Sequence, residues 1–313
     1  MRIPKYLKKG DTIGILSTAR KINDEQLQFC VQVLHAWGFQ TRLGKSIGAE
    51  EHQFAGSDEV RRDNLQEFID DPSIDAILCA RGGYGTMRII DEIDFSNLVQ
   101  HPKWICGFSD VTVLHEHLQS LGIASLHSAM PSLFPKIADH PTLHSIEKAL
   151  KGEMLEYRWN NSKNNINQKN ISGELVGGNL SLVYALQGSA SDISTDGKIL
   201  FLEDLDEYYY HIDRMMCSLD RAGKLKNLKA LLIGGMTDMK DNSIPFGMQT
   251  EEIILHYAKK YNYPVYFDFP CGHIEHNYAI KLGVEASIEL EGDGIRFRQN
   301  SELANLRISE LAN

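Results

Sequence analysis

The sequence predicts an α/β fold, with a parallel sheet flanked by helices in the first part of the chain and a mixed sheet in a second domain. Short β-rich apolar runs alternate with helical patterns at the start, which is the signature of βαβ units. A polar, asparagine-rich stretch interrupts the middle, and closely spaced alternating runs close the chain. With 313 residues, the length suits two domains better than one.

Thr12–Ser17 is the first strand candidate, followed by a helix over Asp24–Trp37 with apolar Leu27, Val31 and Leu34 on one face. Asp75–Cys79 and Lys103–Gly107 are two further buried runs, each leading through glycine into a helical segment. In parallel sheets of this kind ligands gather at the carboxyl ends of strands, where both glycine-rich turns fall. From Pro131 to Asn170 the pattern weakens. Asn160–Asn170 has almost no apolar residues and is expected to be an exposed connector. The division is therefore 1–135 for the first domain, 136–170 for a linker and 171–313 for the second domain. In the latter, Gly177–Gln187 is expected as a small helix, Lys198–Leu202 as a strand and Tyr208–Ala222 as a helix. Strands Ala230–Ile233 and Val265–Phe267 follow, then Ala286–Leu290 and Gly294–Arg298.

Composition narrows the function. A hydrophobic fraction of 42% with 24% charged residues is that of a globular protein with a core. The net charge of −10, without a basic cluster, argues against nucleic acid as a partner. No run approaches the ~18 apolar residues of a membrane span, and the apolar run after the basic N-terminus is too short and broken for a signal peptide. Five scattered cysteines without a C-x-x-C pair suit buried free thiols, and with them a cytoplasmic setting.

The segment Trp104-Ile-Cys-Gly-Phe-Ser109-Asp110 places one serine at a strand-to-helix junction. A serine there stands on a sharp turn with the next N–H at a helix start, able to stabilise an oxyanion. On this segment alone, a plain helix cap at Ser109 or Asp110 is the commoner reading. The turn Arg81-Gly-Gly-Tyr84-Gly85 lacks both the Walker and the dinucleotide fingerprints, so no cofactor is expected. Its glycines let backbone approach a ligand and could offer a second oxyanion donor, although a simple tight turn reads the same way.

These pieces, with Gly10-Asp-Thr-Ile-Gly14, Gly177-Gly-Asn-Leu180, Leu202-Glu-Asp204, Ile212-Asp-Arg214 and Gly272-His273, occur in the order in which the chain resembles the muramoyl-tetrapeptide (L,D-) carboxypeptidases. That family also includes the microcin C self-immunity peptidases. The resemblance runs nearly end to end. It implies a flavodoxin-like or amidotransferase-like first domain, a smaller C-terminal α/β domain, and a homodimer. It also implies a catalytic triad of Ser109, Glu203 and His273, with the N–H groups of Gly83 and Asp110 as the oxyanion hole. Two stretches depart from the family pattern: Ile280-Lys-Leu-Gly283, where a proline usually precedes the glycine, and His127-Ser-Ala-Met-Pro131, where a Gly-Pro-Met run is common.

The chemistry fits these residue types. A serine hydroxyl needs a base within hydrogen-bond reach, histidine can take and return a proton near neutrality, and a carboxylate fixes the imidazole tautomer. Asp204, Asp206 and Glu207 compete with Glu203 for the acidic position, and His276 competes with His273. Arg81, Tyr84 and Arg214 are candidate substrate contacts, Arg214 as a clamp for a terminal carboxylate or, with Asp213, as a structural ion pair. His115-Glu-His117 lacks the spacing of a zinc helix, so no metal is expected, and Cys106 falls on the strand side of the turn. The expected reaction is removal of the terminal D-alanine from cytosolic muropeptide tetrapeptides. Cleavage of a peptidyl-nucleotide antibiotic and non-catalytic peptide binding are the alternatives.

Overall fold

The computed structural model describes residues 1–138, 140–162 and 164–299. The first half runs β1 (Thr12–Leu16), α1 (Asp24–Ala36), β2 (Gln40–Leu43), α2 (Asp58–Asp70), β3 (Ala76–Cys79), α3 (Ser96–Gln100), β4 (Trp104–Gly107), α4 (Thr112–Ser120) and β5 (Ser125–His127). Helix α1 starts where the Asn23 side chain accepts from Gln26 N–H and Gln26 reciprocates, and it buries Leu27, Cys30 and Leu34. The five strands pair in the parallel order β2-β1-β3-β4-β5, the flavodoxin-like arrangement.

The middle of the chain departs from the expected linker. It contains α5 (Pro141–Lys151) and β6 (Leu155–Asn160). Leu143, Ile146, Ala149 and Leu150 recur at helical spacing and are buried, and Leu155 and Tyr157 alternate inward. The Asn-rich stretch that follows is irregular, but it lies along the second lobe: Asn165 Oδ1 accepts from Phe267 N–H at 2.7 Å, and Ile166 bridges to Val265. Side-chain amides there supplement the backbone pairing of Ile166 with Val265, which polarity alone does not reveal.

The second half runs β7 (Ile171–Asn179), α6 (Leu180–Ala185), β8 (Ile199–Leu205), α7 (Tyr209–Arg221), β9 (Ala230–Thr237), α8 (Thr250–Ala258), β10 (Val265–Tyr266), β11 (Ile280–Leu282), β12 (Glu285–Glu291) and β13 (Gly294–Gln299). Gly177–Asn179, expected to open a helix, instead ends β7, and the helix begins at Leu180 under an Asn179 cap. The sheet order is β10-β9-β8-β7-β12-β13-β6, parallel from β10 to β7 and antiparallel beyond.

The two lobes are not separate beads. Strand β11 leaves the second half and joins the first sheet antiparallel to β5. One buried cluster runs from Leu78 and Trp104 in the first sheet to Phe201 and Phe297 in the second. Among the described residues no helix is long and apolar enough to cross a membrane. All five cysteines are free; Cys217 is half-buried and the others are buried.

Candidate active site

The site is built where the carboxyl ends of the parallel strands of the two sheets meet. After β4 the chain turns at Gly107, whose φ of +152° and close neighbour Val111 exclude a side chain: a Cβ there would lie 2.8 Å from Val111 Cγ2. Phe108 is extended, and Ser109 then adopts φ +62°, a left-handed conformation uncommon for a residue with a side chain. A 3₁₀ turn over Ser109–Val111 runs directly into α4. The Asp110 N–H therefore lies in the first turn of a helix and has no intrahelical acceptor.

The glycine-rich turn after β3 folds over this serine. A Cβ on Gly82 would stand 3.2 Å from Ser109 Cβ and 3.4 Å from its Oγ, and one on Gly83 would strike the Arg20 side chain at 2.5 Å. The Asp110 carboxylate, 3% exposed, ties the two turns together by accepting from Thr86 N–H at 2.9 Å. Burial raises its pKa against the opposing hydrogen bonds from Thr86 and Gly85 and the charge of Arg61. Asp110 thus contributes an N–H to the turn through its backbone and braces the opposite turn through its side chain.

The other lobe supplies a carboxylate–imidazole pair. Between β8 and β9 the register shifts, so that Gly234 and Gly235 together face Glu203. Opposite this bulge Glu203 is fully buried. The missing side chains also admit the loop after β10: a Cβ on Gly234 would lie 2.3 Å from Cys271 O, and one on Gly235 2.5 Å from Ile274. In that loop Gly272, at φ +110°, passes so close to Glu203 that a Cβ would sit 2.7 Å from its Oε2.

His273 is fixed from three sides. Its Nδ1 donates to Glu203 Oε2 at 2.6 Å, its backbone N–H donates to the same oxygen at 3.1 Å, and its carbonyl accepts from Thr237 Oγ1 at 2.8 Å. Asn277 Oδ1 holds the loop by accepting from Gly272 N–H at 2.8 Å. Burial pulls the imidazole pKa down, but the hydrogen bond and charge of Glu203, with the charge of Asp204, outweigh it and the net shift is upward. The ring packs on Phe108, the residue before Ser109, with centroids 4.7 Å apart. Among the described residues Ser109 Oγ forms no hydrogen bond; the imidazole reaches the serine turn through its packing on Phe108.

The structure also sorts the competing side chains. Asp204 points away into a polar knot, accepting from Asn179 Nδ2, Ser181 N–H, Ser181 Oγ and Leu205 N–H at 2.7–2.9 Å. Burial, moderated by Ser181, brings its pKa up to about 6. Asp206 pairs with Lys240 and Glu207 with His211. His276 stacks on His140 with centroids 4.2 Å apart. The expected Asp213–Arg214 pair does not form: Asp213 accepts from Tyr257 Oη at 2.9 Å, and the exposed Arg214 lies over the Tyr210 ring. Arg81 donates to Lys21 O at 3.1 Å, bracing the loop after β1, while Tyr84 is exposed beside Phe54. His115 and His117 diverge, the first to Ser125 and Gly107 O, the second to Ser191. Cys106 is buried within β4.

Sequence reasoning missed Asn277, Thr237 and the Asp110 side chain as supports. It also missed the docking of the lobes, where Asn179 N–H donates to Thr112 Oγ1 at 3.1 Å and Gly178 leaves no room for a Cβ beside that threonine. The doubled glycines at 177–178 and 234–235 were the available signal, because each marks a place where backbone is approached closely.

Fold and geometry together are those of a serine hydrolase assembled from two lobes. Residues 13–128 match the LD-carboxypeptidase N-terminal domain and residues 172–288 the LD-carboxypeptidase C-terminal domain. A probable murein peptide carboxypeptidase of Bacillus subtilis is 34% identical over 290 residues, covering 91% of each chain. The crystal structure of muramoyltetrapeptide carboxypeptidase from Oxalobacter formigenes superposes with a TM-score of 0.83 at 27% identity, covering 92% of this chain and 98% of that one. The microcin C7 self-immunity protein MccF, in complex with aspartyl sulfamoyl adenosine, shares the fold with a TM-score of 0.83 at 20% identity, over 95% of this chain and 98% of that one. The chain belongs to the LD-carboxypeptidase family and is an enzyme, a serine carboxypeptidase.

Proposed function

We propose that this enzyme removes the terminal D-alanine from cytosolic muropeptide tetrapeptides, acting through Ser109, Glu203 and His273. The observation that carries the reading is the Glu203–His273 pair of one lobe packed against Phe108, beside the serine turn of the other. His273, its tautomer set by Glu203, takes the proton from Ser109 as Oγ attacks the scissile carbonyl. The tetrahedral oxyanion is met by the N–H groups of Gly83 and Asp110. Collapse breaks the peptide bond, His273 returns the proton to the leaving amine, and D-alanine departs from an acyl-Ser109 ester. Water, deprotonated by His273, then hydrolyses the ester and frees the tripeptide. Arg81, Tyr84 and Arg214 are the residues proposed to contact substrate, and a cytoplasmic homodimer is the proposed working form.

The test is incubation with the tetrapeptide, its all-L isomer and a peptidyl-aminoacyl-nucleotide, with products followed by mass. Release of D-alanine from the first alone supports the reading. Preferential cleavage of the nucleotide conjugate would replace it with an antibiotic-immunity role. The Ser109→Ala protein is expected to bind tetrapeptide without turnover; full activity in that variant would remove the serine from the mechanism.

A further inference from the structure

Helix α4, which begins immediately after the serine turn, carries a polar stripe with no role in the chemistry above. Thr112, Glu116 and Gln119 lie at i, i+4 and i+7, on one face. Thr112 shows where that face points, because it accepts from Asn179 N–H of the second lobe. Glu116 is 1% exposed and Gln119 is 7% exposed. Both carboxyl oxygens of Glu116 and both amide atoms of Gln119 lack a hydrogen-bond partner among the described residues. The neighbours on the helix do not serve them, since His115 turns to Ser125 and Gly107 and His117 to Ser191.

The charged groups facing Glu116 are Lys224, in the α7–β9 connection, and Asp192, in the α6–β8 connection. The Lys224 ammonium is already committed to the Asp192 carboxylate and to Ile193 O. A negative charge on Glu116 would therefore stand at the seam between the lobes, desolvated, without a hydrogen bond, and beside a cation that another carboxylate neutralises. Such a group keeps its proton instead. Burial is the dominant cause, with Lys224 lowering and Asp192 raising the result, and together they bring the Glu116 pKa up to about 8.

We propose that Glu116 sits in the seam as the neutral acid, and that its ionisation unseats α4, and with it Ser109, from the lobe that carries His273. Loss of the proton draws water or Lys224 into the seam and displaces the helix. Because nucleophile and base come from opposite sides of this seam, a shift of ~1 Å is enough to lower the rate about 100-fold. The inference goes beyond the proposed reaction, and its first readout does not depend on that reaction.

The test compares wild type with Glu116→Gln, which preserves the shape of the neutral acid and cannot ionise. Urea unfolding is measured from pH 5 to 9, and the ratio of the two unfolding constants is taken at each pH so that the other titrating groups cancel. In the unfolded chain glutamate titrates near 4.5. Between there and about 8 the native state holds a proton that the unfolded state does not. Stability tied to this group therefore falls as pH rises, and the wild-type unfolding constant gains up to ~10-fold per pH unit over that of the variant. Above about 8 the ratio levels off. The second readout is the pH dependence of kcat/KM: wild type loses activity through an alkaline limb near pH 8 that Glu116→Gln moves upward by at least about one unit. An unfolding ratio independent of pH overturns the proposal, and so does an alkaline limb that the substitution leaves in place. A protein that hydrolyses none of the peptides would remove the proposed reaction, while the unfolding ratio would still decide the state of Glu116.

Discussion

Replacing Glu203 with glutamine isolates the carboxylate charge from its shape. Glu203 is fully buried, and its Oε2 accepts two hydrogen bonds from His273, one from Nδ1 and one from the backbone N–H. Its Oε1 has no partner among the described residues. Glutamine can place its amide oxygen at the Oε2 position only by leaving a buried NH₂ unsatisfied at Oε1, at a cost of about 1–3 kcal/mol. With the amide reversed, an N–H faces Nδ1, so the proton must sit on Nε2 and the imidazole cannot accept from serine. Either arrangement gives up the ion-assisted bond that stabilises the imidazolium in the transition state. The expected fall in kcat is about 10³–10⁴-fold, or ~4–5.5 kcal/mol of barrier. The pH dependence supplies an independent sign. The neutral imidazole is the active base, so kcat/KM of the wild type rises through a His273 pKa held above the ordinary 6.5 by Glu203 and Asp204. Removing the Glu203 charge leaves burial as the leading influence, and the acid limb should move to lower pH even as the rate falls. Steady-state kinetics from pH 5 to 8, with circular dichroism to verify folding, reads both effects. Activity within about threefold of wild type, or an acid limb that stays in place, would refute the assignment of Glu203 as the partner that sets the His273 tautomer.

Two supports of the site give further expected outcomes. Gly272→Ala puts a Cβ 2.7 Å from Glu203 Oε2 at a φ of +110°, so the loop must shift. Thermal unfolding should move down by roughly 1–2 kcal/mol of backbone strain, and kcat should fall by more than about tenfold; an unchanged Tm would mean the loop is freely adaptable. Asp110→Ala removes the acceptor for the buried Thr86 N–H and frees the glycine-rich turn from the serine turn. Its expected signature is a kcat lowered about 10–100-fold with KM nearly unchanged, since the turn serves the oxyanion rather than ground-state binding; a loss confined to KM would contradict that.

The family resemblance implies Ser109, Glu203 and His273 as a triad, and the structure places the first at a strand-to-helix turn, the second in β8 and the third in the loop after β10. Glycines before the serine and before the histidine were legible because a side chain there is sterically excluded, a constraint that acts within a few residues. The βαβ alternation likewise gave the parallel first sheet, since 3.6- and 2-residue periodicities are local properties. The middle of the chain departs from the expected linker because a helix and an edge strand with half-buried faces beside an Asn-rich stretch resemble a linker to any short window.

By itself the sequence determined a two-lobed α/β enzyme with a serine turn, a strand-end carboxylate and a loop histidine. The tertiary structure decided which of four neighbouring acids meets the imidazole: Glu203, opposite the Gly234–Gly235 bulge, bonds His273, while Asp204 turns to Ser181. It also decided that β11 crosses into the first sheet and that Thr112, Glu116 and Gln119 lie on a buried seam. Those outcomes depend on contacts between residues as far apart in the chain as Glu203 and His273. Such contacts follow from the register of strands and the packing of lobes, and no local pattern encodes them.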